Sequence, residues 1–408
     1  MAGSHGSYRL GRRSFLKAGC VASLLIPKVT FGRWPSGEDK EERVLVLLQL
    51  TGGNDGLNTV IPFDNDIYHR SRPTLALSRR EVVPIADGLG FHPELKPLVP
   101  LFKEGFLAVV QGVGYPKPSG GHQEAMQDWQ TARPHVRWCR TGWIGRVLSG
   151  VESRASERIA ALYVGSLPVP LALRGRRVFV PGIGRPEELL LPKGKPTQLL
   201  LSCVTSDGRT YHALEKRYAK RLVTGLELSN RIERAVASKV QYPPFSLAER
   251  LRDVARLIRA RIGLRVVMTD LGGPPPGGFD THANQACNHG ALLRQLACSV
   301  AAFVRDLQQD GTIKRVVLMT FSEFGRTVAE NGRHGTGHGS AAPVFLAGGA
   351  LRGGIIGKVP ELRELENGGP KHHIDFRSLY ATVLRDWFGL PEKPAVRGRF
   401  QTLPLFRT

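Results

Sequence analysis

"LRVVMTD" (264–270) and "RVVLMTF" (315–321) are short apolar runs without polar alternation. That pattern belongs to strands covered on both faces, as in a parallel sheet between helices. Between them Leu292, Leu293, Leu296, Val300, Phe303, Val304 and Leu307 recur at three- and four-residue spacing, the stripe of an amphipathic helix. Strand, helix, strand makes a βαβ unit. Two upstream runs, "RVLVLLQL" (43–50) and "FLAVVQGV" (106–113), read the same way. A further strand, "PVFLAGG" (343–349), and a closing helix, "FRSLYATVLRDWFG" (376–389), complete the expectation. The fold class is α/β: a doubly wound, mostly parallel sheet with helices on both faces.

The chain has 408 residues, 41% of them hydrophobic, enough to bury a sizeable core. Residues 43–395 are expected to form one α/β domain. Within it, 150–250 holds short strand-like pieces, scattered Gly and Pro and a basic helical stretch, and reads as an inserted cap. Residues 396–408 read as a basic extended tail. The formal charge of +22 favours anionic partners. Its arginines and lysines are spread along the chain, and no aromatic-basic module appears, so no specific nucleic-acid partner is expected.

Residues 1–42 carry a targeting signature. "GRRSFLKAG" (11–19) places Arg12 and Arg13 before Phe15, Leu16 and Lys17, followed by a short apolar stretch from Ala18 to Ile26. This is the layout of a twin-arginine export signal. It is far below the roughly 20 residues needed to span a bilayer, so the expected contact with the membrane is the signal segment alone. The expected partner is the twin-arginine translocase, and the expected location periplasmic or extracellular. The five cysteines show no CxxC spacing, which excludes a zinc knuckle. None begins a C-x-P-x-R motif, which argues against a formylglycine-type sulfatase.

Each apolar run ends in polar chemistry. The first is followed by "TGGNDGLN", with Asn54 and Asp55, and the second by "GYPKPSGGHQEAMQDW", with His122. The third leads to "GGFDTH", with Asp280 and His282; the fourth enters "SEFGR", with Glu323, then "GRHGTGHGS", with His334 and His338. In open α/β sheets the carboxyl ends of parallel strands line one crevice, where such groups converge. Two or three carboxylates with two imidazoles suit one or two divalent metal ions: zinc, manganese or calcium. Taken singly each residue has a plainer reading. Asp55 is a normal turn residue, Asp280 and His282 fit an Asx turn beside a surface imidazole, and Glu323 fits a helix-start acid paired with Arg326. His92, His289, His372 and His373 read as structural or exposed.

The motifs "LLQLTGGNDGLNTVIP", "GVGYPKPSGGHQEAMQDWQTA", "GGFDTHANQ", "MTFSEFGRTVAENGRHGTGHGSAAPVFLAGG" and "DFRSLYATVLRDWFG" together resemble the exported bacterial family known as domain of unknown function 1501. The resemblance runs from about residue 43 to 390. It implies an alkaline phosphatase-like fold and the chemistry of that superfamily, metal-dependent hydrolysis of phosphate or sulfate esters. It also implies metal-ligand places for Asp55, Asp280, His282, Glu323 and His338, with a nucleophile at the helix start after the second strand. The chain departs from the family pattern twice. Gly120 and Gly121 stand where relatives commonly have Arg-Ser, and Gly337 where they commonly have Asp.

The expectation is therefore an exported metal-dependent hydrolase of anionic small-molecule or polysaccharide esters. Its nucleophile would be metal-activated water or a hydroxyl, Ser119 serving only with a shift of its loop. His122 would stand at the reacting group, and Asn54 and Arg326 would contact the anion. The alternative, prompted by Gly121, is an inactive relative that holds anionic polymers as an extracytoplasmic binding or scaffold protein.

Overall fold

The computed structural model describes residues 43–150, 159–176, 178–191 and 213–407. The twin-arginine motif, Cys20 and Cys203 lie outside them. Cys139, Cys287 and Cys298 are free thiols. Among the described residues no helix is long and apolar enough to cross a membrane.

A nine-stranded sheet forms the centre. Its strands, in chain order, are β1 (Val44–Leu50), β2 (Leu107–Gly114), β3 (Ala161–Val164), β4 (Gly182–Ile183), β5 (Val266–Leu271), β6 (Val316–Phe321), β7 (Ala342–Gly348), β8 (Gly354–Ile356) and β9 (Ile374–Asp375). Across the sheet they run β8-β2-β7-β6-β1-β5-β3-β4, with β9 also on β2. β1 lies between β5 and β6 and is parallel to both, Leu47 opposite Met268 on one side and Met319 on the other. Only β7 runs against its neighbours, β2 and β6. The mostly parallel architecture is as the apolar runs predict; the reversal of "PVFLAGG" is not written in its composition.

Both faces are covered, which is why the strands lack polar alternation. Val44, Val46, Leu48 and Leu50 of β1 enter one core, Leu45 and Leu47 the other. The first core is closed by helix α3 (Ser246–Arg259) and helix α4 (Gln285–Gln309). Leu293, Leu296, Val300, Phe303, Val304 and Leu307 of α4 are all buried, as their spacing predicts. The second core is closed by α1 (His122–Thr131), α2 (Trp143–Gly150) and α5 (Phe376–Thr382), the last continued by a π turn over Val383–Trp387.

Two regions gain detail. The described part of 150–250 is built onto the main domain: β3 pairs with β5, β4 pairs with β3, and α3 packs into the core. β3 and β4 are short, so their runs are too brief to register as core strands in the sequence. The tail is extended but docked, with Val396 and Leu405 buried and a bridge between Leu351 and Phe406.

Candidate metal centre

The loops leaving β1, β2, β5 and β6 meet at one edge of the sheet because these strands are parallel neighbours or near neighbours. Gly52 has φ +120°, and a Cβ there would strike the backbone N of Asp280. This left-handed glycine lets the β1 loop lie against the β5 loop. Arg326 then ties the loops together. Its Nε donates to Gly53 O (2.8 Å), Nη1 to Thr336 O (3.1 Å), and Nη2 to Gly52 O, to Phe279 O (2.8 Å) and to Asp280 Oδ1 (2.7 Å). Its side chain is wholly buried, so it is closed to the substrate-binding role expected of it.

The structure gathers His122, Asp280 and His338 within mutual ligand distance, the one such group among the described residues. Asp280 Oδ1 is the focus. His122 Nε2 stands 3.3 Å from it, His338 Nε2 3.1 Å and His282 Nε2 3.0 Å. His282 and His338 approach to 2.9 Å through their Nε2 atoms, so His282 joins the group from that side. Side-chain exposure rises from 14% at His122 to 35% at His282, so the centre opens to solvent past His282.

The outer nitrogens fix the tautomers. His338 Nδ1 lies 2.7 Å from Gly120 O, which only accepts, so that nitrogen carries the proton. His122 Nδ1 lies 2.9 Å from Glu323 Oε1 and donates likewise. In the neutral rings both Nε2 atoms are then bare lone pairs, aimed at a carboxylate oxygen that is also an acceptor. His122 Nε2 is buried and makes no hydrogen bond. Such a set is stable only with positive charge among its members. Arg326 supplies part, and a cation bound by the three nitrogens and the carboxylate would supply the rest. The donor set fits a transition-metal ion of the zinc type.

Electrostatics agree with the geometry. Burial works to raise the Asp280 pKa, but the hydrogen bond and charge of Arg326 hold it below the ordinary carboxylate value. Burial lowers His282, and the Glu323 hydrogen bond raises His122 against its own burial. Phe324 fixes the rings, its centroid 5.0 Å from that of His122 and 4.5 Å from that of His338.

Other expected residues stand elsewhere. Glu323 is one step back from the cluster: Oε1 accepts from Gly52 N–H (2.8 Å) and His122 Nδ1, and Oε2 from Ser322 Oγ (3.1 Å). It is an orienting carboxylate, and it makes no bond to Arg326. Asp55 is fully buried under the site as the cap of a short 3-10 turn, Gly56–Asn58. Its oxygens take Leu57 N–H, Asn58 N–H, the Gln285 amide and two bonds from Arg72 (2.7 and 3.1 Å). Those partners saturate its lone pairs, which removes it from the ligand set. Burial pushes its pKa up, yet Arg72 overrides this and lowers it. Asn54 is also buried, its Oδ1 bonded to His289 Nε2 (3.0 Å) and Thr59 Oγ (3.1 Å), so it too is closed to a substrate anion. His334 is exposed and pairs with Thr74.

Ser119 lies on the loop entering α1. Its N–H donates to Tyr115 Oη (3.3 Å), and its Oγ accepts from Gly121 N–H (3.2 Å). A Cβ placed on Gly121 would lie 3.8 Å from Ser119 Oγ and would collide with the Glu124 carboxylate. The Ser119 hydroxyl thus already sits beside the position that Gly121 leaves bare. Sequence reasoning missed Arg72, Gln285 and Phe324. For Phe324 the one available signal was its place between Glu323 and Gly325; for the others there was none, since their roles depend on contacts 17 or more residues away.

No curated protein matches the chain. Several solved structures are similar to it. The zinc complex of the C-terminal periplasmic domain of EcEptC from Escherichia coli is 11% identical, covers 78% of this chain and 76% of that one, with a TM-score of 0.36. The lipoteichoic acid synthase LtaP from Listeria monocytogenes is 9% identical over 95% of this chain and 80% of that one, TM-score 0.37. A protein in the alkaline phosphatase superfamily from Vibrio parahaemolyticus is 11% identical over 93% and 76%, TM-score 0.39. A family model described as "Protein of unknown function (DUF1501)" matches residues 132–390, which includes Asp280, His282, Glu323 and His338. By that match, over more than half of its length, the chain belongs to the DUF1501 family.

Proposed function

We propose that this protein is an exported, metal-dependent hydrolase of phosphate or sulfate esters. The observation that carries the reading is the convergence of three imidazole Nε2 atoms on one carboxylate oxygen, with two rings locked through Nδ1. Asp280, His282, His338 and His122 would hold the ion. When bound, a divalent cation supplies charge neutralisation and Lewis-acid polarisation at an ester oxygen. Three nitrogens and one oxygen favour zinc or manganese over calcium, which takes six to eight oxygens. Glu323 keeps the proton on His122 Nδ1, so that Nε2 faces the centre as a lone pair. Ser119 would be the attacking hydroxyl if its loop shifts; its backbone N–H donates to Tyr115 Oη, and its Oγ accepts from the Gly121 N–H.

Metal analysis of the purified protein tests the reading. About one equivalent of zinc or manganese is expected, lost in Asp280→Ala and His338→Ala with folding kept. Metal-free wild-type protein that does not take up either ion overturns it. Aryl phosphate and aryl sulfate turnover, lost in Ser119→Ala, is the matching activity test. Export rests on the Arg12-Arg13 motif alone; replacing both by Lys should leave folded protein in the cytoplasm.

A second reading is favoured by Gly121 and Glu124. The Glu124 carboxylate occupies the space a side chain at 121 would need, which fits a relative that binds anionic polymers without turnover. Gly121→Ser, with Glu124→Ala to clear its path, separates the two. Activity that appears only in that double variant supports the binding protein; activity in the native chain removes it.

A further inference from the structure

The loop 132–142, between α1 and α2, carries Trp138, which at 89% is the most exposed large apolar side chain among the described residues. The loop itself holds the indole out. Ala132, His135 and Trp138 all have left-handed backbone (φ 51°, 65° and 64°), a conformation that residues other than glycine keep only where surrounding bonds enforce it. Those bonds are present: Asp128 Oδ1 accepts from His135 N–H (3.0 Å), Val136 O from the Gln127 amide (3.0 Å) and Thr141 O from Arg146 Nη1 (2.6 Å). His135 Nε2 lies 3.1 Å from Pro116 O, so the loop rests on the segment that leads to Gly120 and His122 of the metal centre.

Positive charge gathers around this indole. The stretches 132–142 and 393–399 contain Arg133, Arg137, Arg140, Lys393, Arg397 and Arg399 and no acid. Arg146 joins the two stretches, its guanidinium donating to Thr131 O and Thr141 O on one side and to Pro394 O (2.9 Å) and Ala395 O on the other. Burial and the charges of Arg133 and Arg397 beside it lower the Arg146 pKa to about 10. Among the described residues none of the six cations forms an ion pair, and all but Arg133 are exposed. Asp128, an acid beside the loop, is buried and already occupied by Tyr115 Oη (2.9 Å) and the His135 N–H.

One projecting ring among unpaired guanidiniums matches a chain of acidic sugars. The C–H face of a sugar ring lies flat on an indole, and its sulfate, phosphate or carboxylate groups take guanidinium forks two bonds at a time. A membrane surface calls for a broader apolar face than Trp138 and the half-buried Val136 offer. A nucleic-acid strand calls for successive aromatic rings. We infer that Trp138 and the arginines around it form a binding surface, separate from the metal centre, for an anionic polysaccharide. The inference stands whichever reading of the metal centre holds.

Trp129, Trp143 and Trp387 are buried, so in a Trp34→Phe variant of the whole chain the fluorescence that acrylamide quenches comes from Trp138. A dextran sulfate oligosaccharide at fixed ionic strength should bind and protect that signal, and neutral dextran of the same length should not. By calorimetry, Trp138→Ala should weaken binding about tenfold, while Trp138→Tyr, which keeps a ring, should stay within about threefold of the wild type. Arg137→Glu with Arg140→Glu should cost about tenfold or more. Arg70→Glu with Arg80→Glu, the same charge change at exposed arginines elsewhere, should cost less than about twofold. No binding by the wild type, equal losses in the two double variants, or equal binding of neutral dextran, of a thymidine oligonucleotide or of anionic phospholipid vesicles overturns the inference. Asp280→Ala should bind the oligosaccharide as the wild type does. Loss there, with retention in Trp138→Ala, places the sugar chain at the metal centre and overturns the inference without touching the hydrolase reading.

Discussion

Glu323 makes no contact with the cluster's shared oxygen, and its work is done through His122. Oε1 holds both the Gly52 N–H and His122 Nδ1, so one carboxylate sets a loop position and a tautomer together. Glu323→Gln keeps the shape and removes the charge. Loss of such an outer carboxylate typically lowers metal affinity about 10- to 100-fold. We expect that loss in a zinc titration of Glu323→Gln, with little change in melting temperature; unaltered affinity would show that His122 needs no orienting partner. Asp55 behaves in the opposite way. Asp55→Ala leaves the Arg72 guanidinium buried without its partner and removes the cap of the 3-10 turn. The expected cost is about 3–5 kcal/mol of stability, read by denaturant unfolding, with metal content per folded molecule unchanged. Loss of metal with stability kept would restore Asp55 as a ligand.

Among the elements, β1 and α4 do most to position the site. β1 is paired on both sides and buried on both faces, so the Gly52–Asp55 loop starts from a fixed point. α4 begins at Gln285, three residues past His282, and packs on the sheet through Leu293, Leu296 and Phe303. Leu293 is completely buried. Leu293→Ala should cost about 2–5 kcal/mol. Because α4 anchors the loop that carries Asp280 and His282, metal affinity should fall as well, which a titration at a temperature well below the melting point reads. A destabilised variant with native affinity would mean that Arg326, not α4, fixes that loop.

For the whole molecule, acid sensitivity follows from two imidazoles buried beneath the site. Burial lowers His289 to about 3 and His92 to about 4, both from about 6.5. The unfolded chain therefore takes up protons that the folded chain refuses as pH falls below about 6.5. Stability should drop by about 1.4 kcal/mol per pH unit for each imidazole, continuing to about pH 4 for His92 and about pH 3 for His289. His289→Gln with His92→Gln should flatten that slope in chemical unfolding followed from pH 7 to 4. An unchanged slope would assign the acid sensitivity to other groups.

The runs at 43–50, 106–113, 264–270 and 315–321 fixed the parallel core strands, because burial on both faces leaves a local mark in composition. The gathering of Asp280, His282 and His338 was legible for a related reason: polar residues that follow strand ends sit next to a pattern that is itself legible. Asp55, Glu323, Asn54 and Arg326 were not separable from ligands or anion contacts in the same way. Their types and positions suit either role, and only the partners decide: Arg72 for Asp55, His122 for Glu323, His289 for Asn54, and the loop carbonyls for Arg326. The sequence by itself determined which side chains reach the sheet's carboxyl edge. Tertiary structure alone decided which of them face the centre and which stand behind it, because lone pairs are satisfied by neighbours in space that lie as far as 274 residues apart in the chain.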